Sequence, residues 1–349
     1  MTTVDPGLAY TIVNVDPTLA SRLNAINPLL EEAAAQYTDY EVYDYTPDFD
    51  SNLAGTILFG ILTALHLVIG CYFFQWWFGT ALVIGCALET TGYVARVVSH
   101  YHPWQINPFL IQIICLTIAP AFMMGGVYNI VGKIVVIYGQ NLVSHFKPAT
   151  YSYVFIALDI VCLILQGAGG GMAAVALQNY ENIDPGTNIM IAGIALQVAV
   201  MVLFMLVSLL IYFRIRKASK AGYYSAKPKN APDVSSYKLY PELLAHTRKP
   251  FFKYFIIGTI IAVLFIFTRC VYRLFELGGG WRGHLMVEEG YFLVLDGLML
   301  FLACLVLTVA HPGIAFGRTV ISVARPHRSE GAARKAAPLT IQTPPGSPQ

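Results

Sequence analysis

The sequence predicts an all-α membrane protein, a polytopic bundle of seven transmembrane helices with its amino terminus outside and its carboxyl terminus in the cytoplasm. Three observations predict it. Of the residues, 56% are hydrophobic and only 12% are charged, about half the charge of a soluble domain. Seven apolar runs reach the roughly 20 residues that a helix needs to cross a bilayer. Lysine and arginine are concentrated in alternate segments outside those runs, as cytoplasmic segments require.

Residues 1–52 come first, an acidic tail with nine acids and one basic residue, Arg22. Met1 is followed by polar and acidic residues, so no cleaved signal peptide is expected and the first span acts as the targeting signal. The spans lie near Leu53–Phe74, Phe78–Val98, Phe109–Tyr138, Tyr151–Leu177, Ile189–Phe213, Tyr254–Leu277 and Glu289–Ala310. Only Gln75-Trp76-Trp77 joins the first two, and paired tryptophans suit the membrane interface. The third run is long for one straight helix. Ala119-Pro120 is expected to kink it, with its cytoplasmic end leaving the bilayer.

Orientation follows from the connections. Residues 99–108 and 178–188 contain no Lys or Arg, whereas 214–253 contain ten. The tail adds Arg318, Arg325, Arg328, Arg334 and Lys335. Seven spans put every rich segment inside; six or eight break that agreement. The chain therefore divides into an extracellular tail 1–52, a membrane domain 53–313 with its cytoplasmic basic loop 214–253, and a cytoplasmic tail 314–349. Residues 326–349 and much of 218–237 read as disordered. The basic loop is a topology signal, a contact for anionic lipid, or a site for a cytoplasmic partner.

Composition also excludes classes. A net charge of +2 gives no basic field for nucleic acid. All six cysteines fall in apolar runs with no C-x-x-C pair, which argues against a disulfide-stapled ectodomain or a zinc ribbon. No G-x-x-x-x-G-K-[ST] phosphate loop occurs, since Ile follows Gly132-Lys133. No lysine follows Tyr254 in the last two spans, which removes a retinal Schiff base there. The Asp-Arg-Tyr and Asn-Pro-x-x-Tyr signatures of G-protein-coupled receptors are missing, as is any N-x-[ST] sequon.

The breaks in the apolar runs carry the chemistry. The second span has Glu89 and Arg96, the fourth Asp159 and Gln166, the sixth Arg269, Arg273 and Glu276, the seventh Glu289 and Asp296. The ends of each set lie seven residues apart, two helical turns on one face, about 10 Å along the axis. A mid-membrane charge costs about 2.5–3.5 kcal/mol on insertion scales, so such stripes should turn to a shared interior. His66 and His311 lie toward the cytoplasmic side. Five acids against three arginines favour a cation in this interior, or an acid that keeps its proton. The same residues could instead serve only to fix helix register. The run Gln166-Gly167-Ala168-Gly169-Gly170-Gly171 permits either close helix packing or an unwound stretch lining a cavity.

At these positions the chain resembles the fungal RTA-like family of lipid-translocating exporters, from Tyr45 to Gly313. The resemblance rests on Tyr45-Thr46-Pro47 with Asn52 and His66, and on Glu89-Thr90-Thr91-Gly92-Tyr93-Val94-Ala95-Arg96. It continues through Ala119-Pro120-Ala121, Tyr128, Asp159 and Gln166. Arg269, Arg273, Glu276, Gly280, Glu289, Asp296 and His311-Pro312-Gly313 complete it. Glu288 and Leu293 depart from the family's usual His and Tyr. The resemblance implies a seven-span transporter or translocase of the plasma membrane for an amphipathic, lipid-like molecule, such as a sphingoid base or a toxic amphipath, conferring resistance. It implies no enzyme, cofactor or metal. The substrate pathway expected is Glu89, Arg96, Asp159, Gln166, Arg269, Arg273, Glu276, Glu289 and Asp296, with His66 and His311. Two alternatives stand beside it: a lipid-sensing receptor or regulator of lipid asymmetry, and an intramembrane hydrolase using His66, Asp159 and His311.

Overall fold

The computed structural model describes residues 46–103, 105–139, 143, 147–179, 181–221, 223–224, 244, 247, 250–280 and 283–316. The acidic tail before residue 46, most of the basic loop and the tail after Phe316 lie outside them, and with them the disorder expected for 326–349 and for most of 218–237, of which 218–220 are helical. Six long helices come first: α1 Phe49–Phe73, α2 Trp76–Tyr101, α3 Ile106–Tyr138, α4 Pro148–Gln178, α5 Asp184–Lys220 and α6 Pro250–Gly278. After a short turn at His284–Val287, α7 runs over Glu289–Phe316. All seven are long and apolar enough to span a membrane. The seven-helix fold is therefore as the apolar runs predict.

Each helix packs on its neighbours in the chain, and α7 returns to α1, closing a ring. α3 also touches α5 and α6 across it and is the most buried span. The polarity is the reverse of a soluble protein. Leu65, Val68, Ile164, Leu210 and Leu264 are exposed on the outside, where lipid replaces water. Glu89, Asp159, Arg269, Asp296 and His311 are buried inside.

Three local features position the site. α3 stays one helix through Pro120. Proline has no N–H, so the Leu116 carbonyl four residues earlier loses its helical donor; the Arg269 guanidinium supplies one instead. In α7 the segment Phe292–Leu298 is a π-helix, a rare local widening that often marks a functional site. It carries Asp296, and at Gly297 the Tyr93 hydroxyl fills the place of a side chain. Finally, the glycine run of α4 remains helical. A Cβ on Gly169 would lie 2.6 Å from the Gly186 carbonyl oxygen of α5, so glycine there permits backbone contact.

α5 continues to Lys220, beyond the apolar run ending at Phe213. Thirty-seven residues span about 55 Å at 1.5 Å each, well beyond a hydrocarbon core of about 30 Å. The basic residues Arg214, Arg216, Lys217 and Lys220 thus sit on a helical extension of the span rather than in a loop.

Candidate functional site

The stripes of α2, α6 and α7 meet. At the end of the bundle where α1 begins, Arg96 of α2 pairs with Glu289 of α7 at 2.6 Å. Its Nε donates to Asn52 Oδ1 at 2.7 Å, and its Nη1 donates to Gln112 Oε1 at 3.2 Å. The same guanidinium lies 4.1 Å from the centre of the Phe292 ring. Glu289 in turn accepts from the Asn52 amide and from the Asp48 backbone N–H, 2.9 and 2.8 Å away. Asp48 caps α1 by accepting from the Ser51 N–H. One network therefore binds α1, α2, α3 and α7.

Two turns deeper on α7, Asp296 is fully buried between two arginines of α6. Its Oδ1 lies 2.9 Å from Arg269 Nε and 3.2 Å from Arg273 Nε. Both are ion contacts without directed hydrogen bonds. Arg273 also holds Glu276 at 2.5 Å, and Glu276 accepts from the Tyr272 hydroxyl at 3.1 Å.

Glu89 is different. It is fully buried beside this cluster, with Asp296, Arg269 and Arg273 as the charged groups that act on it. Neither carboxylate oxygen has a hydrogen bond, and no ion pair reaches it among the described residues. The arginines are otherwise assigned: Arg96 to Glu289, Arg273 to Glu276, Arg269 to Asp296. Glu89 is the acid left over.

The fourth stripe has partners of its own, and among the described residues no ion pair joins it to the other three. Asp159 accepts from the Tyr128 hydroxyl of α3 at 2.9 Å, and Gln166 donates to Gln197 of α5 at 2.9 Å. Gly169, Gly186 and Gly193 let α4 and α5 approach closely, and a Cβ on Gly193 would meet Gln166.

The trio of a hydrolase is not assembled either. His66 bonds Thr308 at 3.1 Å and lies near His311, at the opposite end of α7 from Glu289. Asp159 is tied to Tyr128 instead. Sequence reasoning passed over Asn52 and Gln112 as partners of Arg96, Tyr272 as partner of Glu276, and Lys133. Lys133 carried its own signal, a charge inside the third apolar run, but with no second polar residue at seven-residue spacing.

Seven helices long and apolar enough to span a bilayer, around a buried and mostly paired charge network, define a polytopic membrane protein. Residues 82–319 match the family described as RTA1 like protein, and the chain belongs to that family. It is 37% identical over 304 residues to the sphingoid long-chain base transporter RSB1 of Saccharomyces cerevisiae, covering 84% of this chain and 78% of that one. It is 24% identical to protein RTA1 of the same yeast, over 78% of this chain and 85% of the other. Protein RTM1 is 24% identical over 69% of each. No solved structure matches the chain.

Proposed function

We propose that this protein moves a long-chain amine, a sphingoid base or a similar amphipath, across the plasma membrane, and that Glu89 receives its ammonium group. The single observation that carries this is the leftover acid. A buried carboxylate without partners is costly, and a bundle that pairs its other acids in this region leaves this one unpaired. An ammonium brings three N–H donors and the balancing charge. The name of the yeast relative supports the same chemistry. The aliphatic tail stays among the apolar side chains or in lipid, where it costs nothing to leave water.

The remaining residues have supporting roles. Asp296, held by Arg269 and Arg273, fixes the electrostatics around Glu89. Arg96 and Glu289 close the network toward the end where α1 begins. The lysine and arginine distribution supports an outside amino terminus, which puts that end at the outer leaflet. No residue here is assigned a role in bond cleavage.

The test is a proteoliposome flip assay with two labelled probes, a long-chain base and its N-acetyl analogue, which keeps the tail and loses the charge. The base is expected to cross at least ten times faster than the analogue. Equal rates would remove the ammonium from the recognition and with it this function.

A further inference from the structure

The last two turns of α5 leave the hydrocarbon without leaving the bundle. Phe204, Ile211 and Ala218 are buried at seven-residue intervals, so the packed face of the helix continues to within two residues of its end at Lys220. Beyond that end the Tyr223 N–H donates to the Ala218 carbonyl at 3.3 Å. The Tyr224 hydroxyl donates to the Tyr138 carbonyl, the last residue of α3, at 2.9 Å. The extension is therefore held against its neighbours rather than projecting from them.

Its outer face changes character at one level. Leu206, Leu209, Leu210 and Phe213 are exposed, and Arg216, Lys217 and Lys220 continue the same side of the helix, exposed as well. The Arg216 guanidinium lies 5.8 Å from the centre of the Tyr212 ring, one turn earlier. From Phe213 to Lys220 the helix rises about 10 Å. The polar layer on each side of a bilayer is roughly 5–8 Å thick, so these cations stand at the depth of the lipid phosphates.

No acid answers their charge. None occurs in the sequence between Asp184 and Asp233. Among the described residues no ion pair reaches Arg214, Arg216, Lys217 or Lys220. Lys147 and Lys253, beside the starts of α4 and α6, are exposed too, and both helices pack on α5.

We propose that this face binds an anionic phospholipid, its phosphate held by Arg216, Lys217 and Lys220 and its chains lying along Leu206, Leu210 and Phe213. Position selects this partner over a soluble acidic protein. Such a protein meets the charges alone, whereas a phospholipid presents negative charge and apolar chain in the order in which the helix presents cation and leucine. The distribution of basic residues supports a cytoplasmic position for this end, and the cytoplasmic leaflet is the one that carries anionic lipid.

The test uses the full-length protein in phosphatidylcholine nanodiscs with a trace of spin-labelled phosphatidylserine or phosphatidylcholine. The motionally restricted fraction of each label gives their relative association. Phosphatidylserine is expected to associate at least fivefold more strongly, and the preference should shrink in about 1 M salt. Arg216→Gln, Lys217→Gln and Lys220→Gln together should bring it below about twofold. Arg325→Gln, Arg328→Gln and Arg334→Gln together, which remove the same charge from the carboxyl-terminal tail, should leave it unchanged. If the first triple variant does not fold, Lys217→Gln with Lys220→Gln is read in its place and should at least halve the preference. A parent without preference leaves these cations to a soluble acidic partner and overturns the proposal. An unchanged preference in the α5 variant, or an equal loss in the tail variant, overturns it as well, because the preference then arises away from this face.

Discussion

Two interfaces in this bundle begin from the same sequence pattern and end differently. On α2, α6 and α7, polar residues at seven-residue spacing become a charged network of three arginines and their acids. On α4 and α5, the same spacing becomes a neutral amide pair set among glycines whose backbones touch. Spacing gives the face of a helix, whereas the partner depends on what the neighbouring helix offers and how closely it approaches. The charged interface holds strong interactions that tolerate no loss. The neutral one rests on shape, with its polar pair as a minor contribution.

That contrast can be broken from its strong side first. Asp296→Asn leaves Arg269 short of a counter-charge and weakens the hold on Arg273, and removing one partner of a buried ion pair costs about 3–5 kcal/mol. A marked fall in the unfolding midpoint in detergent, with reduced yield of folded protein, is expected. A variant as stable as the parent would show that the arginines are satisfied elsewhere. Next comes Gly169→Leu on the shape-dependent side. Its side chain meets the α5 backbone, which cannot move aside as a flexible side chain would, and overpacking of this kind costs about 1–3 kcal/mol or more. Gly171→Leu, which faces open space on the same helix, is the control and should be near neutral.

The Gln166–Gln197 pair sharpens the comparison further. Interhelical hydrogen bonds in membranes average about 0.6 kcal/mol in double-mutant cycles. A cycle through Gln166→Leu and Gln197→Leu should give a coupling of that order, several times smaller than the effect of Asp296→Asn. The smallest effect is expected at the α1 cap. The Ser51 backbone N–H holds the exposed Asp48 carboxyl below its usual range. A depressed carboxylate stabilises the fold above its ordinary pKa and loses that contribution as pH falls through the lowered value. Asp48→Asn, which keeps the cap acceptor but not the charge, should therefore flatten the stability profile only in acid.

Much of the architecture was legible in the sequence because bilayer thickness and the cost of buried charge constrain it so tightly. The apolar runs located the seven spans, and the stripes of α2, α6 and α7 named the residues of the ionic network. What the sequence did not disclose depends on details that periodicity does not encode. The π-helical turn that carries Asp296 has no periodic signature. The bond from Arg269 to the Leu116 carbonyl follows from Pro120, but only once α3 and α6 are known to touch. The bond of Asp159 to Tyr128 depends on how α4 meets α3, and the close contact of α4 with α5 on glycines that the sequence left open between packing and a cavity. Lys133 broke an apolar run alone, and a rule that sought pairs at fixed spacing passed over it.

Within the ionic network, the account rests on Glu89 being spared from structural duty. The most direct test is Glu89→Gln in proteoliposomes, with the flip rate of a labelled long-chain base and the unfolding midpoint measured on the same preparation. The account predicts a flip rate reduced at least tenfold with a midpoint equal to or above the parent's, because a buried carboxyl group without hydrogen-bond partners has been replaced by an isosteric amide. A parental flip rate, or a midpoint that falls as far as that of Asp296→Asn, would contradict it.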